Sequence, residues 1–165
     1  MHVLPSLDAT SVLANLLDDP LVVVDVGCKW GFADVWTGLG DRCTIIGFDP
    51  DVGECEELRI RYRGQPNVLV EPVGLGLERR LATLYMTKNP GGWSLYPPSE
   101  DAVTRHPGLE SGDLVGTTVV GVMSLDEWSA ENGRDHVDII KIDTQGSELD
   151  ILQGADHILD SVRAL

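Results

Sequence analysis

The chain has 165 residues, 42% of them apolar, and a formal net charge of −15. That size and apolar content support one domain spanning 1–165 with a buried core, and they exclude a largely disordered chain. The acidic balance argues against a nucleic-acid partner and against an anionic membrane surface, because both select basic faces.

No apolar run reaches the ~18 residues of a membrane span. The first residues include Asp8, Asp18 and Asp19 and lack the basic start of a secretory signal. Cys28, Cys43 and Cys55 have no CxxC spacing, and an odd count leaves at least one thiol unpaired within the chain. A reducing cytoplasm is the simplest compartment for such a chain.

In chain order, the first expected element is a helical lead-in within residues 1–20. Ser6 or Asp8 caps it, Leu7, Val12, Leu13, Leu16 and Leu17 form its apolar stripe, and Pro20 stops it. The core of the domain is expected over 21–165. Leu21–Val26 is a continuous β-branched run of the kind buried on both faces of a parallel sheet. A glycine turn follows, then a short helix near Phe32–Trp36. Cys43–Phe48 is a second buried strand closed by Asp49-Pro50. Asp51–Tyr62 reads as a helix with acids early and arginines late, the order that suits the helix dipole. Asn67–Val73 is a third strand.

Leu81–Thr87 and Thr117–Val122 are expected as strands around a Gly-, Pro- and Ser-rich loop over Lys88–Gly112. Ser124–Ser129 starts a short helix, Val137–Ile142 is another buried strand, and Gly146–Leu159 is a helix. Strands alternating with helices predict an α/β fold with a mostly parallel sheet. The residues from Ser161 to Leu165 read as the approach to one more strand, so the last strands of such a sheet are expected to be missing. An unfinished sheet edge predicts self-association.

The first glycine turn is Asp25-Val26-Gly27-Cys28-Lys29-Trp30-Gly31. It lies where the first strand meets a helix, the usual ligand crevice of open α/β sheets. A dinucleotide motif G-x-G-x-x-G requires glycine where Lys29 and Phe32 stand, and no GK[ST] follows for a phosphate-binding loop. The pattern left is D-x-G-x-x-x-G with Asp49 as a distal acid able to accept hydrogen bonds from ribose hydroxyls. That spacing serves S-adenosylmethionine, a ligand with no pyrophosphate to cradle. Packing alone is the competing explanation for these glycines.

The second cluster is Asp138-Ile139-Ile140-Lys141-Ile142-Asp143-Thr144-Gln145-Gly146-Ser147-Glu148. Lys141 and Asp143 are two apart on an apolar strand, hence on one side of the pleat. Placing a lysine and an aspartate there is costly unless they pair or serve a ligand.

The segments VVVDVGCKWG, IIGFDPD, GGWSL, SLDEW and VDIIKIDTQGSELDILQGA together resemble the FkbM family of S-adenosylmethionine-dependent methyltransferases. The resemblance runs from Leu21 to Ala155. It implies a Rossmann-like class I methyltransferase fold and methylation of a hydroxyl on a sugar or natural product. The implied partner is a small-molecule or glycan acceptor.

By position, the resemblance implies that Asp25, Gly27, Cys28, Lys29 and Gly31 surround the methionine part of the cofactor. It implies that Asp49 and Pro50 lie at the ribose, and Val73 and Gly74 on the adenine side. Asp143, Lys141 and Glu148 are the implied catalytic group, with Asp143 also near the cofactor. Trp93, Ser94 and Gln145 are expected to face the substrate. No metal site is expected. The chain departs from the family in carrying Cys28-Lys29 where Ala-Asn is usual, and Gln145 where Glu is common. The competing class of function is a non-catalytic Rossmann-like module that binds a nucleotide or a protein.

Overall fold

The computed structural model describes residues 17–98 and 113–165. The helix expected over Ser6–Asp19 falls almost entirely outside these residues, as does most of the loop expected over Lys88–Gly112.

The chain builds β1 (Leu21–Val26), α1 (Asp34–Thr37), β2 (Cys43–Phe48), α2 (Val52–Arg61), β3 (Val68–Glu71) and β4 (Gly74–Leu75). It continues with β5 (Arg80–Thr87), β6 (Leu114–Met123), α3 (Leu125–Asn132), β7 (Ile139–Ile142) and α4 (Glu148–Gln153). Four strands form a parallel sheet in the order β3-β2-β1-β7. The α/β class and the parallel sheet agree with the sequence reading.

Alternation along the strands sorts side chains into two apolar layers. Val23, Ile45 and Val70 join Cys55 and Leu58 of α2 on one face. Val24, Ile46 and Ile140 join Leu125 and Trp128 of α3 and Ile151 of α4 on the other. Both faces are therefore covered, which is why these strands read as unbroken apolar runs. Phe48 and Trp128 meet edge to face at 5.1 Å between ring centroids, the favoured arrangement for an aromatic pair.

A second, three-stranded sheet has the order β4-β6-β5, with β5 and β6 antiparallel. It takes up the part of the sequence with the weakest periodicity. The third strand ends at Glu71, before Pro72, and the chain at once enters the other sheet through Gly74 and Leu75.

The helices α2 and α3 start on side-chain caps. Asp51 Oδ1 accepts from the N–H groups of Gly53 and Glu54 at the start of α2. Ser124 and Glu127 form a reciprocal capping box on α3.

The helix expected over Gly146–Leu159 is shorter than its periodicity implies. Continuous helix covers only Glu148–Gln153 and a separate helical turn covers Ile158–Ser161. The continuous helix is capped by Gly154. A Cβ there would lie 2.1 Å from the Gly76 carbonyl oxygen, so two backbones are pressed together at this point. Beyond the turn, Ile140 N–H donates to Ala164 O at 3.1 Å, and Ile139 and Ala164 pair in parallel.

Candidate functional site

The chain runs outward through β1, β2 and β3, then returns to place β7 on the other side of β1. The carboxyl ends of β1 and β7 thus form a switch point, where open α/β sheets leave a crevice. A cleft occupies that place. It is walled by the ends of β1 and β2, by the turn after β7, by Gly74 and Leu84, and by the segment 90–95.

The register of β1 and β7 sets the charged floor. Asp25 is the direct partner of Lys141 across the ladder. Lys141 Nζ donates to Asp25 Oδ1 at 2.9 Å and lies 3.6 Å from Asp143 Oδ2. Asp25 is buried, whereas the Asp143 side chain is 68% exposed toward the cleft. Burial pushes the Asp25 carboxyl above the usual carboxylate range, and the hydrogen bond and charge of Lys141 partly offset that rise.

The glycine turn packs hard against the turn after β7. A Cβ on Gly27 would lie 2.2 Å from the Asp143 carbonyl oxygen, and Gly27 sits at φ 77°. The amides of the turn face inward. Gly27 and Cys28 donate to Phe48 O, Trp30 donates to Glu54 Oε1, Gly31 donates to Cys28 O and Phe32 donates to Tyr62 Oη. These five N–H groups are therefore engaged within the protein and offer no nest for a phosphate. Trp30 itself adopts φ 71°, a left-handed conformation rare outside glycine. Glu54 on its N–H and Arg61 Nη1 on its carbonyl (2.6 Å) hold it there.

Asp49 ends β2 at 6% exposure and lines the cleft. Among the described residues its carboxylate receives one hydrogen bond, from Asp51 N–H to Oδ1 at 2.9 Å. Burial raises its pKa, while the Asp51 N–H and the nearby Lys29 charge act to lower it. Apolar surface from Phe48, Pro50 and Leu75 lies alongside.

The expected site residues divide into two groups. Gly27, Lys29, Asp49, Pro50, Gly74, Trp93, Ser94, Lys141, Asp143 and Gln145 all line the cleft. Asp25, Cys28, Gly31, Val73 and Glu148 do not. Asp25 stands behind Lys141, and Cys28 is fully buried in the core under the turn. Gly31 packs against Arg61 and Tyr62, and Val73 packs against the other apolar layer. Glu148 braces the turn after β7. Its Oε1 accepts from Thr144 Oγ1 at 3.0 Å and from Gly146 N–H at 3.1 Å. Partial burial works to raise the Glu148 carboxyl. Its own N–H, that of Gly146 and the Thr144 hydroxyl outweigh this and hold it below the usual range.

Sequence reasoning missed Trp30, Leu84, Leu95, Thr144 and Ser147 as cleft residues. Thr144 and Ser147 flank signature positions that were singled out, so adjacency alone would have found them. The left-handed backbone of Trp30 carries no sequence signal.

The parallel sheet, covered on both faces and with its crevice at the switch point, is a Rossmann-like α/β fold. A family model described as "Methyltransferase FkbM domain" matches residues 28–165. The chain belongs to this FkbM methyltransferase family. It is also similar to "2-O-methyltransferase NoeI" of Sinorhizobium fredii (strain NBRC 101917 / NGR234). The two are 25% identical over 175 residues, covering 96% of this chain and 67% of that protein. No solved structure matches the chain. Among the described residues, no helix is long and apolar enough to cross a membrane.

Proposed function

We propose that the chain binds S-adenosylmethionine in this cleft and transfers its methyl group to a hydroxyl of a sugar or natural-product acceptor. The observation that carries the reading is the pairing of Asp49 with a glycine turn whose amides, Lys29 excepted, are engaged within the protein. An acid at the end of β2 suits ribose hydroxyls. A turn in which only the Lys29 amide is left without a protein acceptor among the described residues suits a ligand that brings no phosphate there. The residues fit the cofactor: a carboxylate for ribose, apolar surface for a flat base, and carboxylates near a sulfonium.

When bound, S-adenosylmethionine supplies an electrophilic methyl group. The protein contributes position and proton handling. Asp143 projects from the floor of the cleft, where its carboxylate orients the acceptor hydroxyl and takes its proton. Lys141, fixed between Asp25 and Asp143, sets the direction of that carboxylate. Trp93, Ser94 and Gln145, which line the cleft, are assigned to the acceptor side in this reading. The net charge of −15 fits a small neutral or glycan acceptor in the cytoplasm rather than a nucleic acid.

The test pairs binding with turnover. Calorimetry with S-adenosylhomocysteine, using NAD as the control, should give binding to the first ligand only. Asp143→Asn should keep that binding within a few-fold while methyl transfer to a competent acceptor falls by about 100- to 10,000-fold, the range of a lost general base. Unimpaired transfer by Asp143→Asn would remove it from the chemistry. Selective binding of NAD would overturn the cofactor assignment.

A further inference from the structure

The segment Asn89–Tyr96 crosses the mouth of the cleft as a strap. It is fastened at both ends of its path. On the far side, Ser94 Oγ donates to Gln145 O at 2.5 Å and Tyr96 Oη donates to Asp150 Oδ2 at 2.7 Å. On the near side, Trp93 Nε1 donates to Thr87 O at 3.1 Å, which fixes the plane of the indole. Lys29 Nζ then sits over that ring, 3.7 Å from its centroid. The same ammonium pairs with Asp51 Oδ2 at 2.9 Å. Lys29 therefore joins three pieces: the glycine turn, the start of α2 and the strap. Its side chain is only 13% exposed, so water screens these contacts little.

The cavity beneath the strap measures about 140 Å³. Pockets for small molecules begin near ~300 Å³. The cleft is open on the side of Asp143, whose side chain is 68% exposed, so a ligand as large as an adenosyl amino acid fills the space under the strap only when the strap lifts. Lifting parts the hydrogen bonds of Trp93, Ser94 and Tyr96 and, beside them, the Lys29–Trp93 contact. The last is a face contact with no hydrogen bond between the two side chains, and the ammonium keeps its Asp51 partner when the ring leaves.

We infer that Lys29 is a positioning residue that latches the strap through Trp93, so that ligands enter and leave the cleft by parting this contact. The inference rests on the proposal that the cleft takes the adenosyl cofactor. A latch has a kinetic signature. It holds the strap down over the empty cleft as well as over the filled one, so it slows both association and release. A residue that only touches the ligand changes release and affinity together and leaves association alone.

The experiment measures S-adenosylhomocysteine association and release by stopped-flow tryptophan fluorescence, with affinity by calorimetry. It compares the unaltered chain with Lys29→Met and Lys29→Arg. Methionine keeps the unbranched stem up to the ε position and removes the cation. Asp51 still caps α2 through its other oxygen, so Lys29→Met should fold. Lys29→Met is expected to speed both association and release by about fivefold or more, the scale of one partly buried cation–π contact. The dissociation constant should move less than either rate. Lys29→Arg should return both rates toward the original values, because a guanidinium also stacks on indole and pairs with a carboxylate.

If Lys29→Met proves unfolded by melting, Trp93→Leu provides the same test from the other side of the contact. Rates unchanged in a folded variant would overturn the latch. So would a release rate that rises in step with the dissociation constant at constant association rate. An unaltered chain that fails to bind S-adenosylhomocysteine would instead overturn the cofactor reading, and the latch with it.

Discussion

Lys141 and Asp25 stand side by side because β1 and β7 are parallel and in register at that pair, and their side chains meet at 2.9 Å. The pair ties the first strand to the signature strand directly under the cleft. It is also half-open: Asp25 is 1% exposed, whereas the Lys141 side chain is 38% exposed.

Lys141→Met should leave Asp25 buried without its cation. A fully buried pair costs ~3–5 kcal/mol to break, so about 2 kcal/mol is expected here after allowing for solvent at Lys141. The sign of the pH dependence follows from Asp25. Its folded-state pKa is already raised and rises further without the lysine, so the folded state binds a proton that the unfolded state has released. The loss should be full at neutral pH and should shrink as pH falls through the folded pKa toward the usual carboxylate range. Urea unfolding at several pH values measures it, and a loss that grows on acidification would contradict the assignment.

Asp49 offers the opposite sign. Its carboxylate is buried and its one hydrogen bond from Asp51 N–H can be kept by an asparagine carbonyl. Asp49→Asn should therefore stabilise the empty protein at neutral pH by about 1 kcal/mol, because a desolvated charge is removed. Its raised pKa means the advantage fades as pH falls toward 3.8, where the native carboxyl becomes protonated too. The same variant should bind S-adenosylhomocysteine at least tenfold more weakly, the loss of roughly one charge-assisted hydrogen bond. A higher melting temperature with undiminished affinity would show that Asp49 does not hold the ligand.

Gly27→Ala tests the seam between the two turns. The new Cβ would strike the Asp143 carbonyl oxygen at 2.2 Å, at a backbone angle that disfavours any side chain. A loss of more than about 2 kcal/mol is expected from strain and displacement together. Thermal melting reports the loss. A variant as stable as the parent would mean that the two turns are not in firm contact.

Asp138 supplies a contrast far from the cleft. Its buried carboxylate accepts Val22 N–H at 2.8 Å and meets His136 at 3.1 Å and Arg163 at 3.3 Å. Asp138→Ala should cost about 2–3 kcal/mol, since a buried amide loses its acceptor. Ligand affinity in the still-folded fraction should be unchanged. A selective loss of affinity would point to coupling between the two ends of the sheet.

The strands β1, β2 and β7 were legible in the sequence because burial on both faces leaves an apolar run with no competing period. The helix expected over Gly146–Leu159 was overdrawn because Leu149, Ile151, Leu152 and Ile158 keep helical spacing across a break. The helix stops at Gly154, whose backbone packs closely against that of Gly76, a contact between residues far apart in the chain. The same limit applies at the cleft. Its two turns carry local patterns, and most of the residues they suggested line it. The approach of Lys29 to Trp93 joins segments whose separation hides the contact from any periodicity. Glu148 reads as an acid near the reacting centre, yet its partners, Thr144 and Gly146, belong to its own turn.

All three cysteines are free and fully buried. Burial pushes the Cys43 thiol up to about 11 and the Cys55 thiol up to about 12, and it raises Cys28 as well. A thiol so held is protonated and shielded, so alkylating reagents at neutral pH meet no thiolate. Cys28 lies under the glycine turn, Cys43 opens β2 and Cys55 faces inward from α2. The protein thus carries three silent chemical clocks at known depths, and the order in which they start to run on warming would map which part of the architecture loosens first.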